Sequence, residues 1–104
     1  MRYKIIIEYD GTPFVGWQRQ DNGLSVQECI ETAIESMFQE KPVLFGAGRT
    51  DAGVHATGQV AHFDIEHKEL DTYSIKTGLN HHLKIYPISV LDVTEVDAEF
   101  NSRF

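Results

Sequence analysis

The residues best equipped for chemistry crowd into one run, Gly46-Ala47-Gly48-Arg49-Thr50-Asp51-Ala52-Gly53-Val54-His55. Three glycines, two charges and a histidine share a loop whose backbone needs glycine's freedom. A guanidinium close to the Asp51 carboxylate would favour its ionised form. An ionised, positioned aspartate can act as a nucleophile, a general base or a metal ligand. The structural alternative is an Arg49–Asp51 ion pair that stiffens the loop, although loops on rigid scaffolds carry function disproportionately often. Two phosphate cradles are excluded. Counting G-x-G-x-x-G from Gly46 puts Asp51 where a dinucleotide fingerprint has its third glycine, and Val54-His55 replaces the Lys-Ser/Thr of a P-loop. A carboxylate in the loop would also repel a phosphate.

A second cluster is Tyr9-Asp10-Gly11-Thr12-Pro13-Phe14-Val15-Gly16-Trp17-Gln18-Arg19-Gln20. Aromatics interleaved with amides and an arginine suit stacking and hydrogen bonding to exposed nucleotides. They equally suit a surface loop that Phe14 and Trp17 anchor to the core. The histidines, His55, His62, His67, His81 and His82, form no metal-binding spacing: H-E-x-x-H is absent, and adjacent His81 and His82 point about 100° apart on a helix. No metal site is expected. The single cysteine, Cys29, lies on an apolar helical stripe and reads as a small core hydrophobe. With no disulfide or CxxC pair, a reducing cytoplasm is the expected compartment.

These residues are carried by 104 residues, enough for one domain. The hydrophobic fraction of 41% and charged fraction of 24% are those of a soluble globular chain. No apolar run approaches the roughly 20 residues of a membrane span, and Met1-Arg2-Tyr3-Lys4-Ile5 does not begin a signal peptide. Nine basic against 16 acidic residues give a formal charge of −7, which argues against a self-sufficient nucleic-acid binder.

The elements follow from hydrophobic periodicity. Residues 2–9 read as a strand with Tyr3, Ile5, Ile7 and Tyr9 on one face, and Asp10-Gly11-Thr12-Pro13 breaks it. Ser25 and Glu28 form an S-x-x-E capping box, with Leu24 placed to staple onto Cys29. Val26, Cys29, Ile30, Ala33, Ile34, Met37 and Phe38 then make a continuous helical stripe that Pro42 closes. Val43-Leu44-Phe45 reads as a short buried strand and residues 59–65 as another, with Ala61, Phe63 and Ile65 on one face. Asp71 or Thr72 caps a second helix through about Leu83, with Ile75, Leu79 and Leu83 at steps of four. A last strand runs from Ile85 to Val93, Pro87 suiting its first turn or a sheet edge. The order β-α-β-β-α-β predicts an α+β, ferredoxin-like sandwich: an antiparallel sheet with two helices on one face. The apolar end, Glu99-Phe100-Asn101-Ser102-Arg103-Phe104, looks like a strand entering a part that is missing.

Five ordered segments together resemble one family. Gly46 to Ala56 resembles the signature loop of the tRNA pseudouridine synthase A (TruA) family, and Tyr9-Asp10-Gly11-Thr12-x-Phe14-x-Gly16-Trp17-Gln18-x-Gln20 is similar to that family's opening loop. Ser25-Val26-Gln27, Gln59-Val60-Ala61-His62-Phe63 and the closing Phe100-x-x-Arg103-Phe104 follow in order. The resemblance covers nearly the whole chain. It implies an enzyme that isomerises uridine to pseudouridine in the anticodon stem-loop of tRNA, at positions thirty-eight to forty. It makes Asp51 the nucleophile and Arg49 the arginine that displaces the target base. Gln18, Arg19, Gln20, Thr50 and His55 are the candidate RNA-binding residues. The reaction is a redox-neutral isomerisation, so no metal or other cofactor is expected.

Two departures stand out. Family members are roughly twice as long, so this chain reads as an N-terminal domain whose C-terminal partner, which supplies a tyrosine and further basic residues to the active-site cleft, is absent. The usual Leu-Pro after the second helix is replaced by Leu83-Lys84-Ile85-Tyr86-Pro87. The expected partners are the tRNA substrate and, in the full-length protein, a second subunit in a homodimer, with no membrane. The competing class is an RNA-binding module without catalysis, whose sheet would offer Tyr3, Tyr9, His62 and Phe63 to bases.

Overall fold

Strict alternation builds the central strand. In a computed structural model describing residues 1–104, β1 spans Arg2–Tyr9 and buries Tyr3, Ile5, Ile7 and Tyr9. It is followed by α1 (Val26–Phe38), β2 (Phe45–Gly46), β3 (Ala56–Asp64), α2 (Thr72–Leu83) and β4 (Ile88–Val96). The sheet order is β2-β3-β1-β4 and every pairing is antiparallel, the expected ferredoxin-like arrangement. The apolar faces of both helices and of β1, β3 and β4, with Phe14, Trp17, Leu44 and Ile65 from the connections, form one core of 22 buried residues. No helix is long and apolar enough to cross a membrane.

Both helices start where their caps lie. The Ser25 hydroxyl accepts the Glu28 N–H at 3.1 Å, and the Asp71 carboxylate accepts the Ser74 N–H at 2.8 Å. The return half of the capping box is not made, because the Glu28 carboxylate faces Arg19 at 3.4 Å. Leu24 stays exposed rather than closing a staple over Cys29. Helix α1 also ends before Pro42. Gln39 adopts the left-handed conformation at φ 57°, and its N–H bonds the Glu35 carbonyl at 2.9 Å. Within the stripe, burial pushes the Cys29 thiol up to about 11, which agrees with a core role.

Three other expectations are corrected. The strand expected at Val43-Leu44-Phe45 shrinks to Phe45–Gly46, with Val43 and Phe45 exposed and only Leu44 fully buried. Side chains of α1 have captured the Leu44 backbone: Gln27 Nε2 donates to its carbonyl at 3.1 Å, and Glu31 Oε2 accepts its N–H at 2.9 Å. Those groups are therefore not left for a strand ladder. At the last strand, Lys84 to Pro87 form a corner in which Tyr86 N–H bonds the Leu83 carbonyl at 2.8 Å. The strand accordingly begins at Ile88 and leaves Ile85 exposed. The third correction concerns the closing segment, which is no strand. Asp97 Oδ1 accepts the Glu99 N–H and Asn101 Oδ1 the Arg103 N–H, each at 2.9 Å. These side-chain acceptors curl the segment into two turns.

The turns lie across the sheet face opposite the helices. The Phe100 carbonyl accepts from Arg2 Nη1. His62 stacks on Phe45 at 5.1 Å and meets the Phe100 ring edge-on at 6.0 Å. The buried Ser102 brings its N–H to His62 Nδ1 at 3.2 Å and its hydroxyl within 2.9 Å of the same atom, and the hydroxyl also reaches the Phe45 carbonyl at 3.1 Å. An Nδ1 that accepts the Ser102 N–H must be unprotonated. Burial, aided by Arg2, holds the His62 imidazole below its usual value of 6.5, with Asp64 opposing. The fold thus prefers neutral His62. The stability it contributes is whole above about 6.5 and is lost as pH falls through the lower folded value. Thermal melts should show a lower midpoint at pH 5.5 than at 7.5, and His62→Asn should flatten that difference.

Candidate active site

The two clusters singled out in the sequence meet backbone to backbone. Trp17 N–H donates to the Thr50 carbonyl at 3.0 Å, Gly16 and Asp51 form an isolated antiparallel bridge, and Gly53 N–H reaches the Phe14 carbonyl at 3.3 Å. Two glycines permit the approach. A Cβ on Gly11 would lie 2.0 Å from the Val54 oxygen, and one on Gly16, at φ +117°, would lie 2.5 Å from the Thr50 oxygen. Gly16 also ties the seam to the first helix, since its carbonyl accepts the Val26 N–H at 3.1 Å while Trp17's accepts Gln27's at 3.0 Å. Phe14 and Trp17 are both buried, with Trp17 stacked on Tyr9 at 6.4 Å and Phe14 against Tyr86 at 6.3 Å. Of the two readings of the opening loop, the anchoring one holds.

Asp51 sits at the middle of this seam. Its backbone is held by the bridge to Gly16 and by its carbonyl, which accepts the Val54 N–H at 3.1 Å. Its carboxylate is exposed and makes no hydrogen bond or ion pair. The Arg49–Asp51 ion pair, which would have stiffened the loop or poised the carboxylate, is not formed. Arg49 lines a groove of about 610 Å³ with Gln18, Val43 and Phe45 among its walls, and Asp51 does not border it. The carboxylate and guanidinium are therefore separate groups, the first on a backbone held by Gly16 and Val54 and the second at a concave surface.

The candidate RNA-binding residues divide. Gln18 borders the groove with an exposed side chain. Arg19 is committed to α1, with Glu31 at 2.7 Å and Glu28 at 3.4 Å. Gln20 returns its amide to the Val15 carbonyl at 3.0 Å. Thr50 shares a 2.7 Å hydrogen bond with the Tyr9 hydroxyl. His55 accepts the Gly11 N–H at Nδ1, 2.9 Å away, so the neighbouring Asp10 oxygen at 3.2 Å is no ion-pair partner while the ring is neutral. Thr12, through its side chain and its backbone N–H, holds the Asp10 carboxyl below its ordinary value. Three of the five thus shape the loops through their side chains: Gln20, Thr50 and His55. Sequence reasoning missed two supports, the Tyr9 hydroxyl under Thr50 and Gln59 of β3, whose amide donates to the Gly48 carbonyl at 2.5 Å. A tyrosine closing a core strand beside a polar loop was the available signal, because its hydroxyl needs a partner. No group of three His, Cys, Asp or Glu side chains is placed to hold a metal ion.

A family model described as tRNA pseudouridine synthase matches residues 5–104, the stretch that contains the whole seam. The chain belongs to that family. Among curated relatives named tRNA pseudouridine synthase A, that of Anaplasma phagocytophilum strain HZ is 53% identical over 106 residues, covering 100% of this chain and 43% of the relative. That of Wolbachia pipientis wMel is 54% identical over 105 residues, covering 100% and 42%. That of Maricaulis maris strain MCS10 is 50% identical over 103 residues, covering 99% and 41%. The chain spans less than half the length of these pseudouridine synthases.

The seam makes a direct prediction. Gly16→Ala adds a Cβ against the Thr50 carbonyl and strains a positive φ, at a cost of about 1–3 kcal/mol. Denaturant unfolding should show that loss, and hydrogen exchange should show faster opening at the Trp17 amide that bonds Thr50.

Proposed function

We propose that residues 1–104 form the N-terminal ferredoxin-like domain of a cytoplasmic tRNA pseudouridine synthase, an isomerase acting on uridines at positions thirty-eight to forty of the anticodon stem-loop. Asp51 is the nucleophile and Arg49 displaces the target base. The observation that carries this reading is the free Asp51 carboxylate on a backbone clamped by Gly16 and Val54, within a chain whose family match runs from 5 to 104. A clamped backbone with an unpartnered side chain suits a nucleophile, because orientation is fixed and no hydrogen bond has to break before attack.

The reaction balances without an external oxidant or reductant. The N1–C1′ bond breaks, a C5–C1′ bond forms, a proton leaves C5, and N1 ends protonated. Product and substrate have the same composition, so no redox cofactor is called for. A uridine within a stem must first leave the stack, at a cost of a few kcal/mol. Arg49, planar, cationic and without a carboxylate partner, is suited to fill the vacated space and to contact phosphate. The remainder of the enzyme and a second subunit complete the cleft and supply cationic surface that a domain of net charge −7 lacks.

The rival reading, a binding module whose sheet stacks bases, loses its platform. Tyr3, Tyr9 and Phe63 are buried in the core, and His62 lies under Ser102 and Phe100.

The decisive experiment is Asp51→Asn in the full-length enzyme, with pseudouridine counted in a tRNA transcript. Turnover should fall to background while the unfolding midpoint stays unchanged, since the carboxylate supports no contact in the fold. Measurable turnover would remove Asp51 from the nucleophile's role. Residues 1–104 alone should remain folded yet form no pseudouridine and bind tRNA weakly at physiological salt. They lack the opposite wall that supplies proximity, a contribution of about 7–11 kcal/mol to the barrier.

A further inference from the structure

The chain has four tyrosines, and one of them sends its hydroxyl into the signature loop. Tyr3 spends its own on the Leu70 carbonyl at 3.3 Å, Tyr73 stands exposed on α2, and Tyr86 turns toward the Cys29 thiol. Tyr9 meets Thr50 Oγ1 at 2.7 Å, and Thr50 immediately precedes Asp51. Tyr9 is the fixed end of this bond. It closes β1 between Ala56 of β3 and Ile88 of β4 and is only 4% exposed. A residue this deep in the sheet has no surface to offer a bound RNA, so any effect it has on the reaction must pass through Thr50.

Thr50 is held twice. Tyr9 pins its hydroxyl, and its carbonyl accepts the Trp17 N–H at 3.0 Å, while the Trp17 ring stacks on Tyr9 at 6.4 Å. The three residues close a triangle of contacts around the peptide that leads into Asp51. The Asp51 carboxylate has no ion-pair partner, so its direction is inherited from that peptide. Without the hydroxyl bond, Thr50 keeps only its carbonyl contact and can turn about it. A reacting group displaced by about 1 Å can lose on the order of a hundredfold in rate.

We propose that Tyr9 is a positioning residue: through its hydroxyl bond to Thr50 it sets the direction from which the Asp51 carboxylate meets the target uridine. The assignment rests on the reading of Asp51 as nucleophile given above. It also gives the Thr50 hydroxyl a task inside the protein in place of an RNA contact.

The test uses the full-length enzyme and an unmodified tRNA transcript, with the single-turnover rate at saturating tRNA read separately from tRNA affinity. Tyr9→Phe keeps the ring and removes the hydroxyl; its rate should fall about tenfold while affinity stays within about twofold. Thr50→Val keeps the shape and removes the partner hydroxyl, so it should lose as much, and Thr50→Ser should recover most of the rate. The double variant Tyr9→Phe/Thr50→Val should be no slower than the slower single variant, because both remove one bond. Tyr73→Phe deletes an exposed hydroxyl on α2 and should change neither rate nor affinity. Hydrogen exchange at the Trp17 amide should quicken in Tyr9→Phe and in Thr50→Val. Wild-type rates in both of these variants would overturn the proposal, as would an equal loss in Tyr73→Phe or losses that multiply in the double variant. A Thr50→Ser enzyme as slow as Thr50→Val, or an affinity loss confined to Thr50→Val, would overturn it too. If Tyr9→Phe failed to fold, the two Thr50 variants would decide by the same rates. Turnover retained by Asp51→Asn would remove the nucleophile and with it the catalytic meaning of the bond, while quickened exchange at Trp17 would leave the Tyr9–Thr50 pin standing.

Discussion

Two carbonyl oxygens, those of Thr50 and Val54, lie where the side chains of Gly16 and Gly11 would otherwise be, and the rest of the site depends on that approach. Because the backbones touch, the opening loop and the signature loop act as one body. Trp17 and Phe14 exchange main-chain bonds with Thr50 and Gly53 across the seam. The seam is bolted from below by the Tyr9 hydroxyl and from the side by the first turn of α1, whose Val26 and Gln27 amides bond the Gly16 and Trp17 carbonyls. Asp51 inherits its position from the core through this chain of contacts, while its carboxylate stays free.

The two faces of the sheet are stabilised by different physics. One is covered by α1 and α2 through apolar burial. The other is crossed by the closing turns, held by a short polar and aromatic set: Arg2 to the Phe100 carbonyl, His62 between Phe45 and Phe100, and Ser102 bonded to both His62 and Phe45. The first kind of cover is insensitive to pH near neutrality. The second depends on the protonation state of one imidazole.

Charge is placed with similar economy. Arg2 and Arg19 are spent on structure, each neutralised by carboxylates, and Arg49 and Arg103 are left facing a groove without acids. A net charge of −7 is therefore compatible with a local surface that attracts a polyanion, because the Debye length of about 8 Å at physiological salt makes nearby charges matter more than the total.

Much of this was legible in the sequence, where local rules govern. Alternation from Tyr3 to Tyr9, the Ser25 and Asp71 caps and the apolar stripe from Val26 to Phe38 determined the element order and the α+β class, because periodicity and capping act over a few residues. The run from Gly46 to His55 marked the loop in which the candidate site lies. Tertiary structure decided what depends on distant partners. Leu44 lost its strand because Gln27 and Glu31 captured its backbone, and the closing segment turned because Asp97 and Asn101 offered nearer acceptors than a neighbouring strand. Arg49 and Asp51, two apart in sequence, do not pair, whereas Arg49 and Arg103, 54 apart, share a groove. Proximity along a chain constrains backbone direction, but side-chain company is set by which loops the core brings together.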